Sequence, residues 1–201
     1  IKPGVQILRF QFGPNKYLRK ELLWPYLDEL TQNLIQHYQK YENKPSFIHA
    51  HYADAGYVGV RLSQALKVPF IFTGHSLGRE KKRKLLEAGL KINQIEKLYC
   101  ISERINAEEE SLKYADIVVT STKQESVSQY SQYHSFSPEK SKVIAPGVDH
   151  TKFHHIHSTT ETSEIDNMML PFLKDLSKPP LLAISRAVRR KNIPSLVEAY
   201  G

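Results

Sequence analysis

The sequence predicts an α/β protein built on a parallel, doubly wound sheet. Three observations carry that expectation. Short apolar runs rich in Val, Ile and Phe alternate with longer segments of three-and-four apolar spacing, in the order strand, helix, strand, helix, strand. The connections between them are short. Polar loops containing glycine fall where a strand hands over to a helix, the edge at which open parallel sheets bind ligands.

Val5-Gln6-Ile7-Leu8-Arg9-Phe10 carries β-type residues and predicts a first strand. A polar loop over 13–20 follows. Leu23, Leu27, Leu30, Leu34 and Tyr38 then share one face of an amphipathic helix, with Pro25 early enough for a first turn to tolerate it. Phe47 to Tyr52 predicts the next strand, and a helix from about Ala55 to Leu66 turns Val58, Leu62 and Ala65 inward. Val68 to Phe72 is a third strand, followed by the loop Thr73 to Lys84 and a short helix, Leu85 to Ala88, stopped by Gly89. Gln94 to Tyr114 predicts one long helix with apolar positions Ile95, Leu98, Ile101, Ile105 and Leu112. On that helix Glu108, Glu109 and Glu110 mostly face water, and Cys100 is a packing residue. Ile117 to Val119 is a further strand, with Thr120, Ser121 and Thr122 as candidate N-caps for a helix from Lys123. Val143 to Ala145 is another, closed by Pro146 and Gly147.

From Asp149 to about Ser177 the chain reads as a polar linker with one short helix near Met168 to Leu173. Leu181 to Ser185 then predicts a new buried strand, Arg186 to Lys191 a basic loop, and Asn192 to Pro194 the start of a helix. The expected organisation is residues 1–155 as part of an N-terminal domain, 156–178 as a linker, and 179–201 as the truncated beginning of a second domain. On this reading the 201 residues are an internal piece of a longer chain.

A formal charge of +7 and a pI near 9.3 favour anionic ligands. The cations gather at strand ends instead of along an arm, which favours a phosphorylated metabolite over nucleic acid. No run approaches a membrane span. The single cysteine cannot form an internal disulfide, which suits a reducing, cytoplasmic setting.

Thr73-Gly74-His75-Ser76-Leu77-Gly78-Arg79-Glu80-Lys81-Lys82-Arg83-Lys84 is the main candidate site, an anion site beside a sugar. His75 leaves the strand end with hydrogen-bonding nitrogens. The five cations cannot all be ligands, because a helix start spreads them around its axis; Arg79 is left undecided. Arg186-Ala187-Val188-Arg189-Arg190-Lys191 repeats the arrangement and predicts a second phosphate site. His49 and His51 share one strand face, and His49 reads first as a buried, hydrogen-bonded histidine. Asp54 is equally a helix cap and a site residue. His150, His154, His155 and His157 match no zinc spacing, so no metal site is expected. Ser76 lacks a G-x-S-x-G context, and the chain carries no P-loop and no G-x-G-x-x-G.

His49-Ala50-His51-Tyr52-Ala53-Asp54-Ala55-Gly56, Phe72 to Arg79 and Ala115 to Glu125 resemble the sucrose-phosphate synthase family. So do Phe12-Gly13-Pro14, Lys20 to Pro25, Pro146-Gly147-Val148, Ile184-Ser185-Arg186 and Arg190-Lys191-Asn192. The resemblance runs in order over nearly the whole chain. It implies the GT-B fold: a Rossmann-like N-terminal domain, incomplete here, plus the start of a second Rossmann-like domain. It implies a retaining transfer of glucose from UDP-glucose to the 2-hydroxyl of fructose 6-phosphate, giving sucrose 6-phosphate. It implies that Lys20, Lys81 and Arg104 bind the acceptor phosphate, that His75 stands beside the reacting sugars with Asp54 in the cleft loop, and that Arg186 and Lys191 bind the donor diphosphate. Retention in this class proceeds by front-face attack without a protein base. No cofactor is required, UDP-glucose being the donor substrate; Mg2+ is admitted, though no site for it is visible. Partners are the two substrates, with neither nucleic acid nor membrane, and a sucrose-phosphate phosphatase is the companion the family admits as a domain or a separate protein. Arg186-Ala187-Val188-Arg189 lacks the Pro-Asp-Pro of plant members and resembles the bacterial or cyanobacterial branch. The family's glycine-rich N-terminal loop and two-glutamate donor motif are not in these residues, so the piece alone is expected to be inactive. A related transferase with another sugar acceptor, such as a sucrose synthase-like enzyme, and a non-catalytic anion-binding module are the alternatives.

Overall fold

The computed structural model describes residues 3–40, 44–153, 164–173, 175, 178–179 and 181–200. Two compact units divide the chain, Ile1–Gly147 and Val148–Gly201.

In the first unit, 3-10 turns at Lys20–Leu22 and Trp24–Tyr26 lead into α1 (Leu27–Gln39). Pro25 sits in the second turn, so the regular helix begins after it, later than the leucine spacing alone suggests. Then come β1 (Ile48–His51), α2 (Tyr52–Leu66), β2 (Phe70–Thr73), α3 (Gly78–Glu87), α4 (Ile92–Tyr99), α5 (Ile101–Tyr114), β3 (Ile117–Thr120), α6 (Lys123–Ser128) and β4 (Ser141–Val143). The four strands lie in the order β1-β2-β3-β4 and every pair is parallel. This is the α/β architecture expected. Register pairs His51 with Thr73, so β1 and β2 end level with each other.

The core forms where α2 and α5 close on the sheet. Phe70, Phe72, Val60, Leu112, Val118 and Tyr130 are fully buried there, and α2 packs chiefly against α5. Gly56 permits that closeness: a Cβ would stand 2.3 Å from Ser111 Oγ and 2.9 Å from the Phe72 ring. The inward face of α2 runs Val58, Leu62, Leu66, each four residues on, which leaves Ala65 exposed against expectation.

Other expectations are corrected by the fold. Residues 5–10 form no strand, and Val5, Ile7 and Leu8 are exposed. Their β-type composition describes fit to a sheet face, and among the described residues nothing pairs with the outer edge of β1. A reversal of strand order, the mark of double winding, would need a strand there. The single helix expected over 94–114 is broken at Cys100, whose φ of 44° and ψ of 50° end α4 and begin α5. Ile95 and Ile101 are both buried across the break, so the apolar spacing reported burial and not backbone continuity. Helix α3 begins at Gly78, seven residues earlier than expected. Strand β4 falls two residues early. Thr122 does cap α6, its Oγ1 accepting from the Glu125 amide at 3.0 Å.

The second unit contains α7 (Glu164–Met169), turns at Leu170–Phe172 and Arg189–Lys191, and α8 (Ile193–Tyr200). The strand expected at Leu181 to Ser185 is absent. Leu181, Leu182 and Ile184 are exposed, because a buried strand needs sheet neighbours and the described residues of this unit supply none. No helix among the described residues is long and apolar enough to cross a membrane.

Phe72→Ala should lower stability by about 3–5 kcal/mol, because the ring is fully buried in the core. Ile144→Ala, at an exposed position, should stay within about 0.5 kcal/mol. Urea midpoints at equal slope measure both.

Candidate functional site

The site starts where β1 and β2 end. The chain leaves both strands through the left-handed region: Tyr52 at φ 72° and His75 at φ 56°. Neither residue is glycine, so each conformation costs about 1–3 kcal/mol and must be imposed by its surroundings. The result is a cluster of rings at the carboxyl edge. His51 Nδ1 and His75 Nε2 are 2.7 Å apart and share a hydrogen bond. Tyr52 lies 4.7 Å from His75 and His49 lies 4.2 Å from His51, between ring centroids. His49 Nε2 meets Thr73 Oγ1 at 2.8 Å. His49 therefore has the hydrogen bond expected of it, but it stays exposed. Partial burial lowers the proton affinity of His49 and His51, and the neighbouring histidines lower it further.

Behind this edge lies a buried polar hub. The Gly74 amide donates to the Tyr130 hydroxyl at 2.8 Å. The Gly78 amide, at the start of α3, donates to both Glu108 oxygens, at 3.1 and 2.8 Å. Glu108 also accepts from Arg104 Nε at 3.0 Å and from the Tyr133 hydroxyl. A Cβ on Gly78 would stand 2.8 Å from Glu108 Oε2, so only glycine fits. Burial pushes the Glu108 carboxyl up, and Arg104 with the hydrogen bonds pulls it back. Every one of these partners is a donor, so the ionised carboxylate is the form the hub satisfies. Arg104 in turn donates to the carbonyl of Ser76 and reaches its Oγ at 3.3 Å.

The acidic run on α5 was expected to face water, and it does not. Glu108 is buried, Glu109 holds Arg79 at 2.7 Å, and Glu110 holds Arg61 at 2.9 Å. Arg79, undecided from sequence, is thereby committed to structure, and it also lies over the Tyr133 ring. Arg83 and Lys84 pair with Glu80 on their own helix, Arg83 also with Glu87, and both face solvent.

Lys81 differs from those cations. It is half-buried, with its ammonium 3.7 Å above the Tyr99 ring centroid. Burial lowers its pKa to about 8, and Arg104 and then Lys20 press in the same direction. Lys20, Lys81 and Arg104 thus act on one locality; Arg104 is already paired with Glu108, and Glu21 opposes the charge on Lys81 only in part.

Asp54 lies in the first turn of α2 and lines an apolar cavity of about 310 Å³ with His49, Phe12, Leu27 and Val58. It is not the cap: the N-cap residue is His51. Arg186 and Lys191 lie in the second unit, both exposed. The Arg186 carbonyl accepts from the Val188 amide at 2.8 Å, and Lys191 closes the turn before the left-handed Asn192. Of the four histidines around 150–157, His150 is exposed, and His154, His155 and His157 lie outside the described residues. Among the described residues no three potential ligands gather for a metal.

The comparisons with known proteins bear on this region. A family model described as the sucrose synthase first GT-B domain matches residues 5–167. The chain belongs to that family. It is 36% identical over 249 aligned residues to a probable sucrose-phosphate synthase of Vicia faba, and 37% over 250 to probable sucrose-phosphate synthase 1 of Citrus unshiu. Each alignment takes in 98% of this chain and 23% of the relative, so the chain spans about a quarter of the length of these relatives. Among solved structures, sucrose-phosphate synthase from Thermosynechococcus elongatus superposes with a TM-score of 0.70 at 25% identity, covering 96% of this chain and 43% of that one. The ring cluster, the Glu108 hub and Lys81 all lie inside the family match.

Sequence reasoning missed His51 and Glu108. His51 shares its strand face with His49, and that alternation was the available signal. For Glu108 the signal was Arg104 four residues earlier on the same helix face.

Glu108→Ala should cost about 3–5 kcal/mol, because it strands the buried Arg104 charge and the Gly78 amide together. Lys81→Met should raise the thermal midpoint at pH 7. The folded state holds Lys81 charged at a cost that is fully present below its folded value of about 8 and gone above its ordinary value of 10.5. The advantage of the variant should therefore fade between those pH values.

Proposed function

We propose that this chain is the acceptor-binding part of a glycosyltransferase that moves glucose from UDP-glucose to the 2-hydroxyl of fructose 6-phosphate, with retention of configuration. One observation carries the reading: Lys81 is half-buried, and burial, then Arg104 and Lys20, disfavour its charged form, while exposed His75 and Tyr52 pack together at the strand edge. Arg104 joins the two halves by reaching Ser76, the neighbour of His75. Lys20 and Lys81, beside an Arg104 already paired with Glu108, suit a dianion, and a phosphate would turn their mutual repulsion into attraction. Lys20, Lys81 and Arg104 then take the acceptor phosphate. His75 stands at the reacting sugars, and Asp54 lines the acceptor side.

On the donor side, Arg186 and Lys191 take the diphosphate. The leaving phosphate oxygen departs from the anomeric carbon and accepts the proton of the attacking hydroxyl on the same face. No protein base is required, and the main catalytic contribution is stabilisation of the departing UDP charge. The proposed reaction needs no cofactor. Its substrates place it in the cytoplasm, and a phosphatase, as a further domain or a separate protein, would consume the phosphorylated product.

The family model is named for sucrose synthase, which favours free fructose as a second reading. The protein that contains this chain should release UDP from UDP-glucose with fructose 6-phosphate at least about a hundredfold more efficiently than with fructose, the lower end of two charge-assisted bonds at about 1.5–3 kcal/mol each. Equal turnover of the two acceptors overturns the phosphate reading and supports the second. Lys81→Ala should raise the KM for fructose 6-phosphate about tenfold or more while leaving fructose unaffected. The wild-type KM should also climb above pH 8 as free Lys81 loses its proton, and Lys81→Arg should flatten that rise.

A further inference from the structure

The ring cluster contains a contact that the proposed mechanism does not use. His51 comes from the last position of β1, His75 from just beyond β2, and their facing nitrogens are 2.7 Å apart. A gap of that length holds one proton, so one ring must present N–H and the other a bare nitrogen. Nε2 of His75 is thereby occupied, and only its Nδ1 is left for a ligand. Whether that Nδ1 carries hydrogen is decided by the tautomer of His51. The rings lie edge to edge, with centroids 5.0 Å apart and planes 22° from parallel, the near-coplanar geometry of an in-plane hydrogen bond, which orients His75.

We propose that His51 is a positioning residue: its bond to His75 fixes the tautomer and ring orientation that His75 presents to the sugar, and a second proton on the pair undoes both.

The surroundings support a single-proton pair. His49 stacks on His51 from the same strand, Tyr52 packs on His75 from the head of α2, and Asp54 follows in the first turn of that helix. From the other side, the Tyr130 hydroxyl holds the Gly74 amide beside His75. Partial burial and His75 lower the proton affinity of His51, in that order. When both rings are charged, two N–H groups face each other and the bond is lost. The backbone is left-handed at both Tyr52 and His75, immediately after His51 and at His75 itself, where the two nitrogens meet.

The inference rests on the proposed place of His75 at the sugars, and the experiment separates the two. In 15N-histidine spectra of the protein that contains this chain, His75 should show one tautomer at pH 7.5, and the His51 and His75 rings should titrate together in acid. His51→Phe, which keeps an aromatic face without the nitrogen, should give a tautomer mixture at His75. In the transferase, His51→Phe should lower kcat about tenfold or more with the acceptor KM within about twofold, the pattern of a lost orienting partner. His51→Asn, which keeps one hydrogen-bonding group and does not titrate, should recover most of that loss and shift the acid limb of the pH profile to lower pH. An unchanged His75 tautomer in His51→Phe, or an unchanged acid limb in His51→Asn, overturns the proposal. A coupled titration in a protein that transfers no glucose establishes the pairing and overturns the transferase reading instead.

Discussion

One buried carboxylate organises the first unit. Glu108 takes hydrogen bonds from the first amide of α3, from the Arg104 guanidinium one turn earlier on α5, and from the Tyr133 hydroxyl. Without it, Arg104 would be a stranded cation, and the start of α3 would be tied to α5 only through Arg79 and Glu109. With it, the loop between β2 and α3 is held at both ends: Gly74 on Tyr130 and Gly78 on Glu108. That loop carries His75 and Ser76, so the geometry of the candidate site depends on a group that no ligand touches. Burying a charge is unfavourable unless it is paired and fully hydrogen-bonded, and here both conditions are met.

A second constraint follows from the sheet. Parallel register brings His51 opposite Thr73, which sets the ends of β1 and β2 side by side. The chain then turns sharply at Tyr52 and near His75, in a conformation that residues other than glycine resist. The core supplies the compensating energy: Phe70, Phe72 and Tyr130 are fully buried, and the Tyr130 hydroxyl takes the Gly74 amide just beyond β2. Strain held at the rim by packing below is the arrangement by which rigid folds present side chains to ligands.

The charged segment from Arg79 to Lys84 shows how burial sorts residues that look alike in sequence. Arg79 goes to Glu109, Arg83 and Lys84 go to Glu80, and Lys81 alone is turned over Tyr99 with Arg104 and Lys20 as neighbours. Helical geometry divides nearby positions among different faces, so the cations of one run can have different surroundings. The free energy that the folded state spends on keeping Lys81 charged is what an anionic ligand could recover.

The sequence by itself determined the alternation of strand and helix, the parallel sheet and the glycine loop after β2, because local periodicity and turn chemistry encode them directly. It also placed His75 as a candidate, in the loop after the strand, while Lys20, Lys81 and Arg104 entered as phosphate ligands through the family resemblance. It did not determine which residues of a periodic segment are covered. Residues 5–10 read as a strand, and Leu181 to Ser185 as a buried one, yet neither has a partner among the described residues, and a strand exists only by pairing. Cys100 interrupts a helix whose apolar spacing runs on across the break, because spacing records which side chains are buried and is blind to one left-handed residue. The tertiary structure alone decided that Glu108 is interior and that His51 touches His75. Both facts join residues 24 to 30 positions apart, and only the packing of α5 on α3 and of β1 on β2 brings them within hydrogen-bonding distance.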